Sequence, residues 1–118
     1  MNPQFKRGIV ELCVMSVLAL EDMYGYKIIQ SLSKHIDVNE NTVYPILRRL
    51  LKDGYFETYL EASNEGAPRK YYRMTKKGYT YYQQQSDEWD SFIGGVYQII
   101  HKGVKDYERI SERFKEGS

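Results

Sequence analysis

The chain has 118 residues, a formal net charge of +1 and 42% hydrophobic residues, which predicts a single domain with its own core. The small net charge excludes a uniformly basic protein, yet residues 41–82 hold eight basic and four acidic side chains, whereas the segments before and after them are net acidic. The lone cysteine, Cys13, excludes an internal disulfide and favours a reducing cytoplasm as the location of the protein.

Two helices are predicted first. Residues 9–20 are apolar on almost every side, so this helix must be covered from several directions. At 12 residues it is too short to span a bilayer, and we expect no membrane segment. Cys13 lies within it, and packing is favoured over redox sensing because no cation is its neighbour in sequence.

Residues 24–35 predict a second, amphipathic helix with four residues on its core side: Gly25, Ile28, Ile29 and Leu32.

A third helix, within residues 39–52, has two chemically opposite faces. The buried stripe consists of Val43, Ile46, Leu47, Leu50 and Leu51. The polar face carries Thr42, Tyr44, Pro45, Arg48, Arg49 and Lys52. Such a helix could pack on a small core while lying in a DNA groove, or it could simply be a solvated surface helix. Either Asn39 or Asn41 could cap it, and Pro45 favours the later cap or an irregular first turn.

A basic and aromatic β-hairpin is predicted next. Gly54 ends the third helix, residues 55–60 form a strand, residues 61–68 a loop and residues 69–74 the return strand. One side of the return strand carries Arg69, Tyr71 and Arg73, and the other side carries Lys70, Tyr72 and Met74. A helix pair followed by such a hairpin predicts a winged helix-turn-helix, a mainly α fold with a small β-hairpin.

The last third predicts a long helix with a dimerisation seam. Thr75 can cap a helix that begins at Lys76. Large apolar residues then recur in steps of three and four, interrupted only at Ser86 and Gly103: Tyr79, Tyr82, Trp89, Ile93, Val96, Ile100, Tyr107, Ile110 and Phe114. A two-fold copy of the chain would bury this seam, whereas the first helix alone is too short to cover it. The sequence leaves open whether the helix breaks at Gly94–Gly95 or near Gly103.

Five sequence blocks in this order, at 11–19, 24–28, 42–50, 53–55 and 69–75, resemble the PadR family of bacterial transcriptional regulators. The resemblance covers roughly residues 9–78, and its blocks are specific as a set. It implies a homodimeric winged-helix repressor. The corresponding domains are a winged helix-turn-helix at 1–78 and a C-terminal dimerisation helix at 79–118.

From the residues and the resemblance we expect two recognition helices to enter successive major grooves of a palindromic operator in double-stranded DNA. The expected DNA-binding residues are Thr42, Tyr44, Pro45, Arg48, Arg49 and Lys52 on the helix, and Arg69, Lys70 and Tyr71 on the wing. The alternative is a winged-helix protein–protein interaction module, which would not need a basic wing.

The resemblance also implies an effector site at Trp89. Multidrug-sensing relatives with short C-terminal tails place a Trp fourteen residues after the strand-ending Thr, as Thr75 and Trp89 are placed here, and the two Trp rings of the dimer sandwich a flat aromatic small molecule. Position by position, the opposite wall would be formed by Phe5, Gly8 and Leu12. Relatives that bind cations place an acid where this chain has Ile93, although Asp90 and Glu88 lie near in sequence, so the resemblance leaves a preference for cations open. Interface packing is the alternative role of Trp89.

Catalytic signatures are lacking in the sequence. His35 and His101 lie far apart and have no Cys at metal-ligand spacing, and Gly-rich phosphate loops are absent. We therefore expect no enzymatic activity, no metal site and no cofactor.

Overall fold

The computed structural model describes the backbone of residues 3–115 and the side chains of residues 6–103 and 105–115. It is mainly helical with a small antiparallel sheet, which confirms the predicted fold class. Its elements in chain order are α1 (Pro3–Leu20), β1 (Met23–Tyr24), α2 (Gly25–Ser33), α3 (Glu40–Lys52), β2 (Phe56–Ser63), β3 (Gly66–Met74), α4 (Lys76–Lys105) and α5 (Tyr107–Lys115). A first compact unit ends at Gln85 and a second begins at Ser86. The predicted domains, 1–78 and 79–118, stay a prediction.

The core of the first unit lies where α1, α2 and α3 meet the sheet. The stripe predicted for α3 is buried at Val43, Ile46, Leu47 and Leu50, while Leu51 is half-buried against the same core. Helix α1 begins six residues before the predicted start at Ile9. The prediction captured only its apolar part, because hydrophobic periodicity gives no signal across a polar first turn.

Strand β1 was not predicted, and Tyr24 lies in it instead of opening α2. The sheet has the order β1-β3-β2, and Met23 and Tyr24 pair with Tyr72 and Tyr71 of β3. A two-residue strand carries no periodicity of its own. Its formation depends on a partner strand far along the chain, which local sequence patterns do not reveal.

The hairpin is longer than predicted, and the predicted loop 61–68 was too wide at both ends. Strand β2 continues to Ser63 and β3 begins at Gly66, whose φ of +130° is readily adopted only by glycine. The pairing is irregular between Glu61 and Ser63. Cross-strand hydrogen bonding extends the ladder through residues of low strand propensity.

Local hydrogen bonds set both ends of α3. Asn39 is the N-cap, since its side-chain oxygen accepts from the backbone N–H of Asn41 at 2.9 Å. Pro45 therefore lies inside the helix, where it has no N–H to donate to the preceding turn. At the other end Gly54 has φ +80°, and the N–H of Tyr55 bonds back to Leu50 O at 2.9 Å, which completes a Schellman motif. The predicted end at Gly54 is confirmed.

Helix α4 begins as predicted, with the N–H of Gly78 donating to Thr75 Oγ1 at 3.0 Å. It continues through Gly94–Gly95 and ends at Lys105, so the break lies near Gly103. Among the residues described, α5 has no buried side chain. No helix in the described part of the chain is both long and apolar enough to cross a membrane.

Candidate nucleic-acid interface

A cleft of about 480 Å³ lies between α3 and strand β3. Its lining brings together four of the side chains predicted to bind DNA: Tyr44 and Arg48 from α3, and Arg69 and Lys70 from β3. The remaining lining residues are Tyr24, Gly25, Tyr26 and Tyr72. The lining thus holds three cations and no carboxylate, a combination that attracts an anion.

The exposed face of α3 continues beyond this cleft. Tyr44 and Arg48 also line a second open depression of about 310 Å³ together with Pro45, near the start of the helix. Thr42 is half-buried, whereas Pro45 and Lys52 are exposed. A single helix face therefore presents hydroxyl, aromatic and cationic groups, the set that can contact base edges, sugars and phosphates.

Tyr44 is held against the first residue of α2. A Cβ atom at Gly25 would lie 2.8 Å from Tyr44 Cε1 and from its hydroxyl oxygen, so the absence of a side chain there leaves room for the ring. The sequence placed Gly25 on the core side but gave no sign of this contact. The two helices of the helix-turn-helix thus pack closely beside the cleft.

The two adjacent arginines of α3 have different surroundings. Within the described part of the chain, Arg48 makes no ion pair, so its guanidinium can bind an incoming phosphate without first losing a partner. Arg49 instead forms an ion pair with Glu11 of α1. Sequence periodicity places both arginines on the same polar face of the helix, but their side chains are not equivalent in the folded chain.

On the outer face of the sheet, tyrosine and arginine side chains alternate. Arg69 lies over the Tyr24 ring at 4.4 Å, and Arg73 lies over the Tyr59 ring at 4.9 Å. Tyr71 contacts both rings, with centroid distances of 5.5 Å to Tyr24 and 5.6 Å to Tyr59. Cation–π contacts of this kind hold a guanidinium in place while leaving its N–H groups available. Tyr24 and Tyr59 were missed from sequence because these contacts exist only once the sheet has formed.

Two surface ion pairs also involve the wing arginines. Arg69 Nη2 lies 3.1 Å from Glu65 Oε2, and Arg73 Nε donates to Glu57 Oε1 at 2.9 Å, which raises the pKa of Arg73. Both pairs lie at the solvent-exposed surface and contribute little to stability, so a phosphate can replace the carboxylate at little cost. On the opposite side of β3, the Lys70 ammonium lies 5.5 Å from the Tyr72 ring centroid.

The wing is also tied to the turn before β1. The Tyr59 hydroxyl donates to Asp22 Oδ2 at 2.6 Å, and this bond, with the nearby negative charge, raises the pKa of Tyr59 to about 12. The phenol therefore stays protonated, and remains a donor, throughout the neutral range.

The residues predicted for the effector site fall in both compact units. Trp89 is half-buried on α4 in the second unit, whereas Gly8 and Leu12 belong to α1 in the first. The Phe5 side chain lies outside the described residues. The ligand site therefore stays a prediction. No cluster of three or more His, Cys, Asp or Glu side chains that could hold a metal occurs among the residues described.

Comparisons with known proteins agree with this geometry. Residues 14–84 match the model of the Transcriptional regulator PadR-like family. The crystal structure of a PadR-like transcriptional regulator from Bacillus cereus is 32% identical, with a TM-score of 0.75 over 82% of this chain and 96% of that one. A PadR-like transcription factor from Bacteroides fragilis is 35% identical, with a TM-score of 0.70 over 81% and 94% of the respective chains. An uncharacterized protein from Lysinibacillus sphaericus is 32% identical over 70% of this chain and 80% of its own length. The chain therefore belongs to the PadR-like family of winged helix-turn-helix proteins, whose members regulate transcription by binding DNA and are not enzymes.

Proposed function

We propose that this chain is a homodimeric repressor that binds a palindromic operator in double-stranded DNA through α3 and the β2–β3 wing. The observation that carries the proposal is the cleft between α3 and β3, whose lining holds Arg48, Arg69 and Lys70 and no acid. A phosphate backbone supplies the complementary charge, and cations gathered at one cleft bind it more strongly than scattered ones.

The side chains of α3 divide by chemistry into base-reading and phosphate-binding groups. Thr42, Tyr44 and Pro45 would contact base edges or sugars, because they combine hydroxyl and apolar surface near the start of the helix. Arg48 and Lys52 would bind phosphate or guanine. On the wing, contacts to the adjacent backbone or minor groove would come from Arg69, Lys70 and Tyr71.

Exposed apolar surface in the second unit supports the homodimer. Ile100, Tyr107 and Phe114 belong to the predicted seam that begins at Tyr79, and their side chains are between 62% and 70% exposed. A chain with such a stripe is prone to associate, and a two-fold partner buries it in a closed assembly. The same symmetry would present two copies of α3 to half-sites about 34 Å apart.

An effector at Trp89 would release the repressor from its operator by favouring a dimer geometry that fits DNA less well. A flat aromatic molecule stacked on the indole should quench Trp89 fluorescence, which comes from the only tryptophan in the chain. A panel of planar dyes tests this, with operator affinity measured in the same samples. Quenching that leaves operator affinity unchanged would oppose a regulatory role for the site.

Titration with DNA tests the central proposal. Purified protein is titrated with a duplex taken from just upstream of its own gene and with a scrambled duplex of equal length, each at two salt concentrations. Repressor function predicts a marked preference for the upstream duplex, and predicts that affinity falls steeply as salt rises. Equal and weak binding of both duplexes at low salt would favour the winged-helix protein-interaction module instead.

A further inference from the structure

The ion pair between Arg49 and Glu11 joins α3 to α1 next to the proposed DNA surface. The side chain of Glu11 is only 13% exposed, whereas that of Arg49 is 45% exposed. A carboxylate largely removed from water requires a cationic partner, because leaving it unpaired costs free energy. Arg49 is therefore committed to Glu11 in a way that Arg48 is not committed to any described residue.

Glu11 also contacts the beginning of α4. The Tyr81 hydroxyl donates to Glu11 Oε1 at 3.4 Å, while Arg49 binds the other carboxylate oxygen. Burial raises the pKa of Tyr81, so its hydroxyl remains a donor at neutral pH. The Tyr81 ring stacks on Tyr55 with a centroid distance of 4.2 Å and an interplanar angle of 5°. One carboxylate thus links three helices of the first unit.

The end of α3 is independently fastened to the start of α4. Thr75 Oγ1 donates to Gly54 O at 2.7 Å, and Lys77 Nζ donates to Asp53 O at 2.9 Å. These bonds fix the C-terminal end of α3, while its apolar stripe of Val43, Ile46, Leu47 and Leu50 packs in the core. The Arg49–Glu11 contact adds a charged attachment between the last turn of α3 and α1.

We propose that Glu11, Arg49 and Tyr81 form a clamp, the α3 clamp, that holds the recognition helix in the orientation that binds the operator. Arg49 is then a positioning residue: it acts on DNA through α3 and Arg48 and does not hold a phosphate itself. Because a shift of about 1 Å can misplace a binding group, loss of the clamp lowers operator affinity without removing a DNA contact. The inference rests on the proposed function, since it requires that α3 bind DNA.

The direction in which Glu11→Ala changes operator affinity distinguishes the clamp from a direct contact between Arg49 and a phosphate. Glu11→Ala removes a negative charge, so simple electrostatics predicts tighter DNA binding, and it also releases Arg49 for a phosphate. The clamp predicts the opposite, a loss of operator affinity of about tenfold. Glu21→Ala is the matched control, because Glu21 forms a more exposed ion pair with Lys27 at 3.6 Å. This control should bind the operator as tightly as the original chain or slightly more tightly.

A charge exchange provides the second test. Arg49→Glu should weaken operator binding, and Glu11→Arg combined with Arg49→Glu should restore affinity to within about threefold, because the pair is rebuilt in reverse. Glu21→Arg combined with Arg49→Glu has the same formal charge but cannot rebuild the pair, and it should not restore affinity. All titrations are run below the thermal midpoint of each variant, so that unfolding is not mistaken for weak binding.

The results distinguish this inference from the proposed function. If the original chain prefers its operator and Glu11→Ala binds equally well or more tightly, the clamp is overturned while the repressor proposal stands. An exchange variant as weak as Arg49→Glu alone would also overturn the clamp. If the original chain shows no preference for any upstream duplex, both proposals fail together.

Discussion

At the scale of single residues, the hydrogen bond from Tyr59 to Asp22 strongly raises the pKa of one phenol. Its pKa of about 12 lies above the ordinary value of 10.0 that applies in the unfolded chain. A pKa raised by folding stabilises the folded state fully below the unfolded value, and this contribution is lost as pH rises from about 10 to about 12.

We expect Tyr59→Phe to remove a late step from the phenolate absorbance titration. The difference in unfolding free energy between the original chain and Tyr59→Phe should also shrink as pH rises from about 10 towards about 12, the window in which the bond to Asp22 is lost. Denaturant unfolding at a series of pH values measures that difference. An unchanged absorbance titration would show that Tyr59 is not the perturbed group.

The polar face of α3 could be predicted from sequence, but the partners of its residues could not. Periodicity placed Arg48 and Arg49 on the exposed side of the helix, which the structure confirms. It could not distinguish them, because Glu11 lies 38 residues earlier in the chain and meets Arg49 only through tertiary packing. For the same reason the close approach of Gly25 to Tyr44 could not be predicted, since that contact joins two different helices.

At the scale of secondary structure, the start of α4 depends on a close approach at Gly78. A Cβ atom there would lie 2.1 Å from the backbone oxygen of Tyr55, and backbone cannot move aside as easily as the end of a side chain. Gly78→Ala should therefore lower the unfolding free energy by about 1–3 kcal/mol.

Gly94→Ala on the same helix is the matched control. Among the described residues, no atom beyond its chain neighbours and the adjoining helix backbone lies within 4 Å of the position its Cβ would take, so this substitution should raise the unfolding free energy by about 0.5–1 kcal/mol through helix propensity. Urea denaturation monitored by circular dichroism compares the two variants. Equal effects would mean that the contact with Tyr55 does not constrain α4.

Elements with strong local signals were the ones that sequence predicted well. Apolar residues at helical spacing and the end at Gly54 located α3, and Thr75 located the start of α4. The sequence analysis missed strand β1 and predicted the strands of the hairpin too short. Cross-strand pairing stabilises β1 and the outer part of the hairpin, and the propensities of their own residues give little signal.

At the scale of the whole molecule, the exposed apolar residues of α4 and α5 lead to a prediction about assembly. Ile100 lies on the seam and is 62% exposed in the single chain, so a dimer that buries this seam should dissociate when a charge is placed there. Ile100→Glu should therefore lower the sedimentation coefficient to that of a monomer.

Gln98→Glu adds the same charge at an exposed position off the seam, and this variant should sediment like the original chain. The thermal midpoint of the original chain should also rise with protein concentration, because association stabilises the folded state. Dissociation of the dimer in both variants would mean that the added charge, and not its position on the seam, causes the dissociation.

The salt dependence of operator binding by Arg48→Ala tests the central claim, that the cleft between α3 and β3 holds DNA. Removing one phosphate contact should weaken binding and reduce the slope of log affinity against log salt by about one unit. Lys102→Ala, which removes an equal charge from an exposed site on α4, should leave the slope unchanged. Equal slopes for Arg48→Ala and the original chain would contradict the assignment of this cleft to the DNA backbone.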